Sequence, residues 1–242
     1  MRPFQFLGLC AVLLGCPMSG PGGGGGAGLS DAGPGVDVGS AQDTGTTPTT
    51  ESVTIAELRG GTVAEESQVR IEGAVVTAIQ PGRGLWVQQG SGPDSGLFLF
   101  GEEAAATEGL SEGTQLTVSG VFTVFNDLKQ IKFPTLTELQ PGTLPEPFVV
   151  SAADLATSPS WEGVLVQANT VTIVNPNPDG PDNDYGQIEL NDGLIMDDDV
   201  FRDLDSGRYF LRQEGTVFNS VVGIAHLSFG KRKILPRRAA DL

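Results

Sequence analysis

From residue 52 onward, apolar and polar positions alternate in short runs bounded by Gly, Asn, Asp and Pro, the period of half-buried strands. The runs predict strands over 68–79, 84–89, 96–100, 114–125 and 128–139, then over 163–174, 186–191, 193–196, 209–218 and 221–235. The second five repeat the order of the first. VRIEGAVVTAI (69–79) has a counterpart in VLVQANTVTIV (164–174), GLFLF (96–100) has one in GLIMD (193–197), and TVFN occurs at 123–126 and 216–219. The same order at an offset of about 93 to 101 residues predicts two tandem domains, 52–147 and 148–242, divided near QPGTLPEP (140–147). One helical turn is expected ahead of each copy, at 54–58 and 151–156.

Each copy reads as a long first strand, two shorter strands and a long hairpin, turning at Asn126-Asp127 in the first and Asn219-Ser220 in the second. Gly73 near the middle of the first strand allows a bend, so that one strand serves both sides of a small barrel. The expected fold class is therefore all-β, with two tandem five-stranded OB-like barrels. A β-sandwich is the competing arrangement. EGAVVTAI, GLWVQQ, GTQLTVSGVF and the closing KILPRRAADL resemble the OB-type domains that precede the metal-dependent nuclease domain of secreted bacterial nucleases. PEPFVVSAADLA followed by WEGVLVQANTVTIVNPNPD resembles the join between such domains in bacterial lipoproteins. The nuclease domain itself has no counterpart in this sequence.

The N-terminus carries a different pattern. Residues 1–15 have Arg2 as their only charge and an apolar stretch from Leu7 to Leu14, the form of a secretory signal too short to span a bilayer. Leu13-Leu14-Gly15-Cys16 resembles the lipobox of bacterial lipoproteins, which implies lipidation of Cys16, and Pro17 after it implies export to the outer membrane. An ordinary cleaved signal with Cys16 incidental is the alternative. Residues 16–51 then turn to Gly, Ser, Thr, Pro and Asp without apolar periodicity, the composition of a disordered tether. Its ~35 residues would hold a domain about 30 Å from the lipid.

Composition narrows the function classes. Among 242 residues, 34 Gly and 16 Pro with few aromatics exclude a helical bundle. The net charge of −16 becomes −17 after loss of residues 1–15, with 13 basic residues against 30 acidic, so no general grip on nucleic acid is expected. Cleavage also leaves Cys16 as the sole Cys, which excludes an internal disulfide. His226 is the only His and has no evident nucleophile or orienting acid, so it reads as a strand residue rather than a catalyst, and no enzyme is expected.

Three sets of residues carry candidate chemistry. Strand alternation that points Leu85, Val87, Leu97 and Leu99 inward places Trp86, Gln88, Phe98 and Phe100 on the outer face of strands two and three, where OB-folds bind single strands or oligosaccharides. The opposite register makes the aromatics core. The second domain offers Gln187, Glu189, Ile195 and Asp197 there, without an aromatic series, so stacking is expected in the first. No cofactor is expected beyond calcium, for which Asp179, Asp182 and Asp184 in NPDGPDND (177–184) offer oxygen ligands, a solvated turn being the alternative. Lys231, Arg232, Lys233, Arg237 and Arg238 near the C-terminus suit a phosphate backbone, the protein's own Asp197–Asp199 run, or the solubility of an edge strand. The sequence thus suggests a non-catalytic module, held to the membrane through its N-terminal lipid, that binds oligosaccharide or single-stranded nucleic acid. A scaffold for another envelope protein is the alternative.

Overall fold

A computed structural model describes residues 50–201 and 212–242. The expected signal peptide, Cys16 and nearly all of the expected tether lie outside the described residues. Of the residues assigned to the tether, Glu51 belongs to the first strand, β1 (Glu51–Ser52). Helix α1 (Ile55–Gly60) follows and starts where a capping box places it: Thr54 Oγ1 accepts the Glu57 N–H at 3.2 Å and the Glu57 carboxylate accepts the Thr54 N–H at 2.7 Å.

The first barrel consists of β2 (Gln68–Gln80), β3 (Gly84–Gln88), β4 (Gly96–Phe100), β5 (Thr114–Phe125) and β6 (Leu128–Pro141), with the short helix α2 (Glu102–Ala105) between β4 and β5. Neighbouring strands run in the order β2-β3-β4-β6-β5, and β2 pairs again with β5 to close the ring. A two-residue link of β1 lies parallel to β2. Inside sit Ile71, Val76, Leu85, Val87, Leu97, Leu99, Leu116 and Val118, the inward positions of the alternating pattern.

The second barrel repeats this plan. It opens with β7 (Phe148–Val149) and α3 (Ala152–Thr157), whose Ser151 cap accepts the Asp154 N–H at 3.1 Å. Strands β8 (Leu165–Asn175), β9 (Gln187–Leu190), β10 (Ile195–Asp197), β11 (Val217–Ser228) and β12 (Lys231–Leu235) then form the ring β8-β9-β10-β12-β11, closed by β11 on β8. Its core gathers Val164, Val166, Ala168, Ile173, Ile188, Leu190, Met196 and Ile234. The all-β fold of two five-stranded barrels is as expected.

Register corrects two details of the internal repeat. β1 meets β2 at Glu51 and Val69, and β7 meets β8 at Phe148 and Val166, so equivalent positions lie 97 residues apart, two more than the ungapped match at 69 and 164. By that equivalence Gly73, at φ +69 beside a bulge, corresponds to Thr170, at φ +53. The second correction concerns the closing hairpin. The first barrel turns at Asn126-Asp127 as expected, but β11 runs straight through Asn219-Ser220 and turns at Phe229-Gly230. The repeated TVFN therefore ends a strand in one barrel and starts one in the other, and it marks no equivalence. Of the strand expected over 209–218, residues 209–211 lie outside the described residues.

The two barrels share a third apolar cluster. Ala78, Trp86, Phe98 and Leu128 of the first meet Leu165, Ile224, Leu227 and Leu235 of the second, and the described barrels fall within one compact unit. A buried ion pair, Arg59 Nη1 to Glu162 Oε1 at 2.6 Å, joins α1 to the segment before β8. Each barrel keeps its own core, and a common apolar seam joins the two.

Candidate functional site

Of the two registers the sequence allows for β3 and β4, the structure has the one that points the aromatics outward, yet the face it defines is closed. Leu85, Val87, Leu97 and Leu99 point into the first barrel, and Trp86 and Phe98 point out of it, directly into the second barrel. Their rings lie 4.8 Å apart, and His226 of β11 packs edge-on to Trp86 at 5.3 Å and to Phe98 at 5.6 Å. Gln88 is buried as well: its Oε1 accepts the Leu165 N–H at 2.6 Å while its Nε2 reaches Ser95 Oγ at 3.3 Å. Of the four residues expected to form a stacking row, Phe100 alone is exposed, at 50%. Trp86, Gln88 and Phe98 are thus interface residues, because burying two aromatics against another barrel outweighs leaving them in water.

Among the described residues, the corresponding face of the second barrel is open. A cavity of about 850 Å³ lies over β9, β10 and β12, within the range of small-ligand sites. Gln187 of β9, Asp197 of β10 and Lys231 and Lys233 of β12 supply its strand-borne lining. The 176–186 loop between β8 and β9 adds Asp179, Asp184, Tyr185 and Gly186, the β11–β12 turn adds Phe229, and Arg83 comes from the first barrel. These are the strand faces and loops through which OB-folds bind ligands. Asp198 and Asp199, which follow β10, and Arg212 complete the lining.

Cations and carboxylates alternate around this cavity. Lys233 Nζ meets Asp197 Oδ2 at 2.6 Å with both side chains 2% exposed. Arg212 pairs with Asp184 at 2.7 Å and Arg83 with Asp199 at 3.5 Å. Lys231 donates to Gln187 Oε1 at 3.2 Å and lies 3.9 Å from Asp179. Burial, reinforced by the neighbouring Asp199 charge, pushes the Asp197 carboxyl up, and the contact with Lys233 opposes that rise. His226 nearby is driven down to about 3, first by burial and then by the charges of Arg83 and Lys233.

The 176–186 loop is braced from within. Asp179 accepts the Tyr185 N–H at 3.1 Å, Asp184 accepts the Gly186 N–H at 3.2 Å, and Asn177 Nδ2 donates to the Gly180 carbonyl at 2.7 Å. Gly186 is required at its position, because φ is +89 and the Asp198 carboxylate occupies the space a Cβ would take. Of the three carboxylates expected as calcium ligands, Asp179 and Asp184 line the cavity, whereas Asp182 stands outside its lining and in solvent. No group of three His, Cys, Asp or Glu side chains converges as a metal site among the described residues. The expected calcium ligands are not gathered, since Asp179 and Asp184 are drawn to backbone N–H groups and cations.

The C-terminal cations divide similarly. Lys233 pairs with Asp197, as one of the three sequence readings allowed. Arg237 binds Asp241 at 2.9 Å and reaches Glu112 of the first barrel at 3.0 Å, and Arg238 also contacts Glu112. Sequence reasoning missed Tyr185, Lys231, Lys233 and Phe229 as cavity residues. The available signal was the stretch LSFGKRKIL, where Gly230 between two alternating runs marks a turn that would expose Phe229.

Among the described residues, no helix is long and apolar enough to cross a membrane. No family model matches the chain, and no curated protein matches it.

Proposed function

We propose that this protein is a non-catalytic binding protein that holds a neutral oligosaccharide in the cavity of its second barrel. One observation carries the reading: among the described residues, the face that binds ligands in OB-folds is sealed in the first barrel and open over a polar cavity in the second. Each of the four cations in the lining already faces a carboxylate. A phosphate would have to displace those carboxylates, whereas sugar hydroxyls donate and accept beside them. The overall charge of −16 argues in the same direction against nucleic acid. Asp197 is held in a buried ion pair, which disfavours a role as a catalytic acid or base.

The test is calorimetric titration of the mature chain with chitotetraose, cellotetraose, maltotetraose and mannotetraose, alongside a single-stranded oligothymidylate. Binding of one glycan, lost in Gln187→Ala, supports the reading. Binding of the oligothymidylate alone overturns it. The lipobox resemblance at 13–16 supports an outer-membrane lipid anchor for this activity. Metabolic labelling with an alkynyl fatty acid, abolished by Cys16→Ala, is the expected result.

A second reading rests on Phe100 and Phe133, both exposed on the first barrel, where Phe100 pairs with Lys132. Apolar side chains in that position suit a contact with another envelope protein. Loss of an envelope crosslink in Phe133→Ser, with glycan binding intact, would favour it.

A further inference from the structure

The β11–β12 turn holds two unfavourable choices in one residue. Phe229 is its first central position, at φ +51, followed by Gly230 at φ +72. A two-residue turn with both φ positive favours Asn, Asp or Gly, and a bulky side chain there is an outlier. The equivalent turn of the first barrel obeys the rule with Asn126 at φ +48 and Asp127 at φ +65. Phe229 is in addition 86% exposed, so its ring recovers little burial in exchange for the backbone strain. Both costs fall on a residue that lines the polar cavity.

Strain held at the mouth of a cavity points to a role in ligand contact. We propose that Phe229 is the stacking platform of the site, receiving the C–H face of a pyranose ring while the sugar hydroxyls reach Lys231, Gln187 and Asp179. The electron-rich face of an aromatic ring attracts the partial positive charge of aligned C–H bonds. Gln187 and Lys231 are themselves joined at 3.2 Å, so donors and acceptors stand together beside the ring. This assignment rests on the oligosaccharide reading, and names which residue supplies its apolar half.

The experiment compares the mature wild-type chain with Phe229→Asn, Phe229→Tyr and Gln187→Ala, using whichever of the four tetraoses binds the wild type. Phe229→Asn installs Asn-Gly, the preferred pair for this turn. Its urea midpoint is expected to rise while its affinity falls at least tenfold, and Phe229→Tyr is expected to keep affinity within threefold. Affinity within twofold of wild type in Phe229→Asn, with Gln187→Ala still losing it, overturns the platform and leaves the cavity reading standing. A lowered urea midpoint in Phe229→Asn also overturns it, because the ring would then be serving the fold. Failure of all four tetraoses to bind the wild type removes both proposals together.

Discussion

Gln88 Oε1 accepts the backbone N–H of Leu165 at 2.6 Å, a hydrogen bond between β3 of the first barrel and the opening of the second barrel's β8. The side chain is buried, and its amide nitrogen is held by Ser95 Oγ and the Gly90 carbonyl, each at 3.3 Å. One glutamine therefore settles a backbone donor that the seam would otherwise leave without a partner. Replacing it by Met keeps the volume and removes the acceptor. Gln88→Met is expected to lose about 1–3 kcal/mol of stability in urea denaturation, because a buried N–H is stranded.

Close to that bond, Gly96 and Gly163 touch backbone to backbone. A Cβ on Gly96 would overlap the Gly163 carbonyl, and one on Gly163 would press on the Gly96–Leu97 peptide. Gly96→Ala must push the barrels apart, so a loss of about 3 kcal/mol is expected from overpacking. Two separate unfolding transitions in differential scanning calorimetry would accompany it if each barrel then melts alone.

Trp86 is fully buried between the barrels. In a Trp161→Phe variant its emission is expected to be blue-shifted and poorly quenched by acrylamide. Ready quenching in the folded variant would contradict the sealed seam.

Gly73 and Thr170 occupy equivalent bends, at φ +69 and φ +53. A β-branched residue in the left-handed region costs about 1–2 kcal/mol. Gly73→Thr is expected to lose that amount. Thr170→Gly is expected to gain up to about 1 kcal/mol, the relief of strain being partly offset by the freedom glycine has when unfolded. Urea midpoints that move in the same direction for both variants would refute the equivalence.

His226 makes stability depend on acidity. Its folded value of about 3 lies below its ordinary 6.5, so between these the unfolded chain binds a proton that the folded chain refuses. Stability from this group is complete above pH 6.5 and is lost as pH falls toward 3, at up to about 1.4 kcal/mol per pH unit. Asp197 and Glu162, both pushed up by burial, act with the opposite sign. The difference between wild type and His226→Leu in urea denaturation at pH 4.5 and 7.5 isolates the histidine. A smaller loss on acidification is expected in the variant.

Local pattern determined the strands of the first barrel, the caps at Thr54 and Ser151, the bend at Gly73 and the turn at Asn126-Asp127, because each depends on residues near one another in sequence. Alternation left two registers for β3 and β4, and the structure adopts the one in which Trp86 and Phe98 leave the first barrel's core. What lies beyond a strand's outer face has no signature in that strand. Only the tertiary structure decided that Leu165, Ile224, Leu227 and Leu235, distant in sequence, cover those aromatics, converting an expected binding row into a seam. For the same reason only the folded chain shows the cavity on the second barrel, where β9, β10, β12 and a braced loop bring paired charges together near Phe229. A strand's periodicity reports which side chains share a face, while the burial of that face is set by contacts between remote segments, whose energy no local pattern contains.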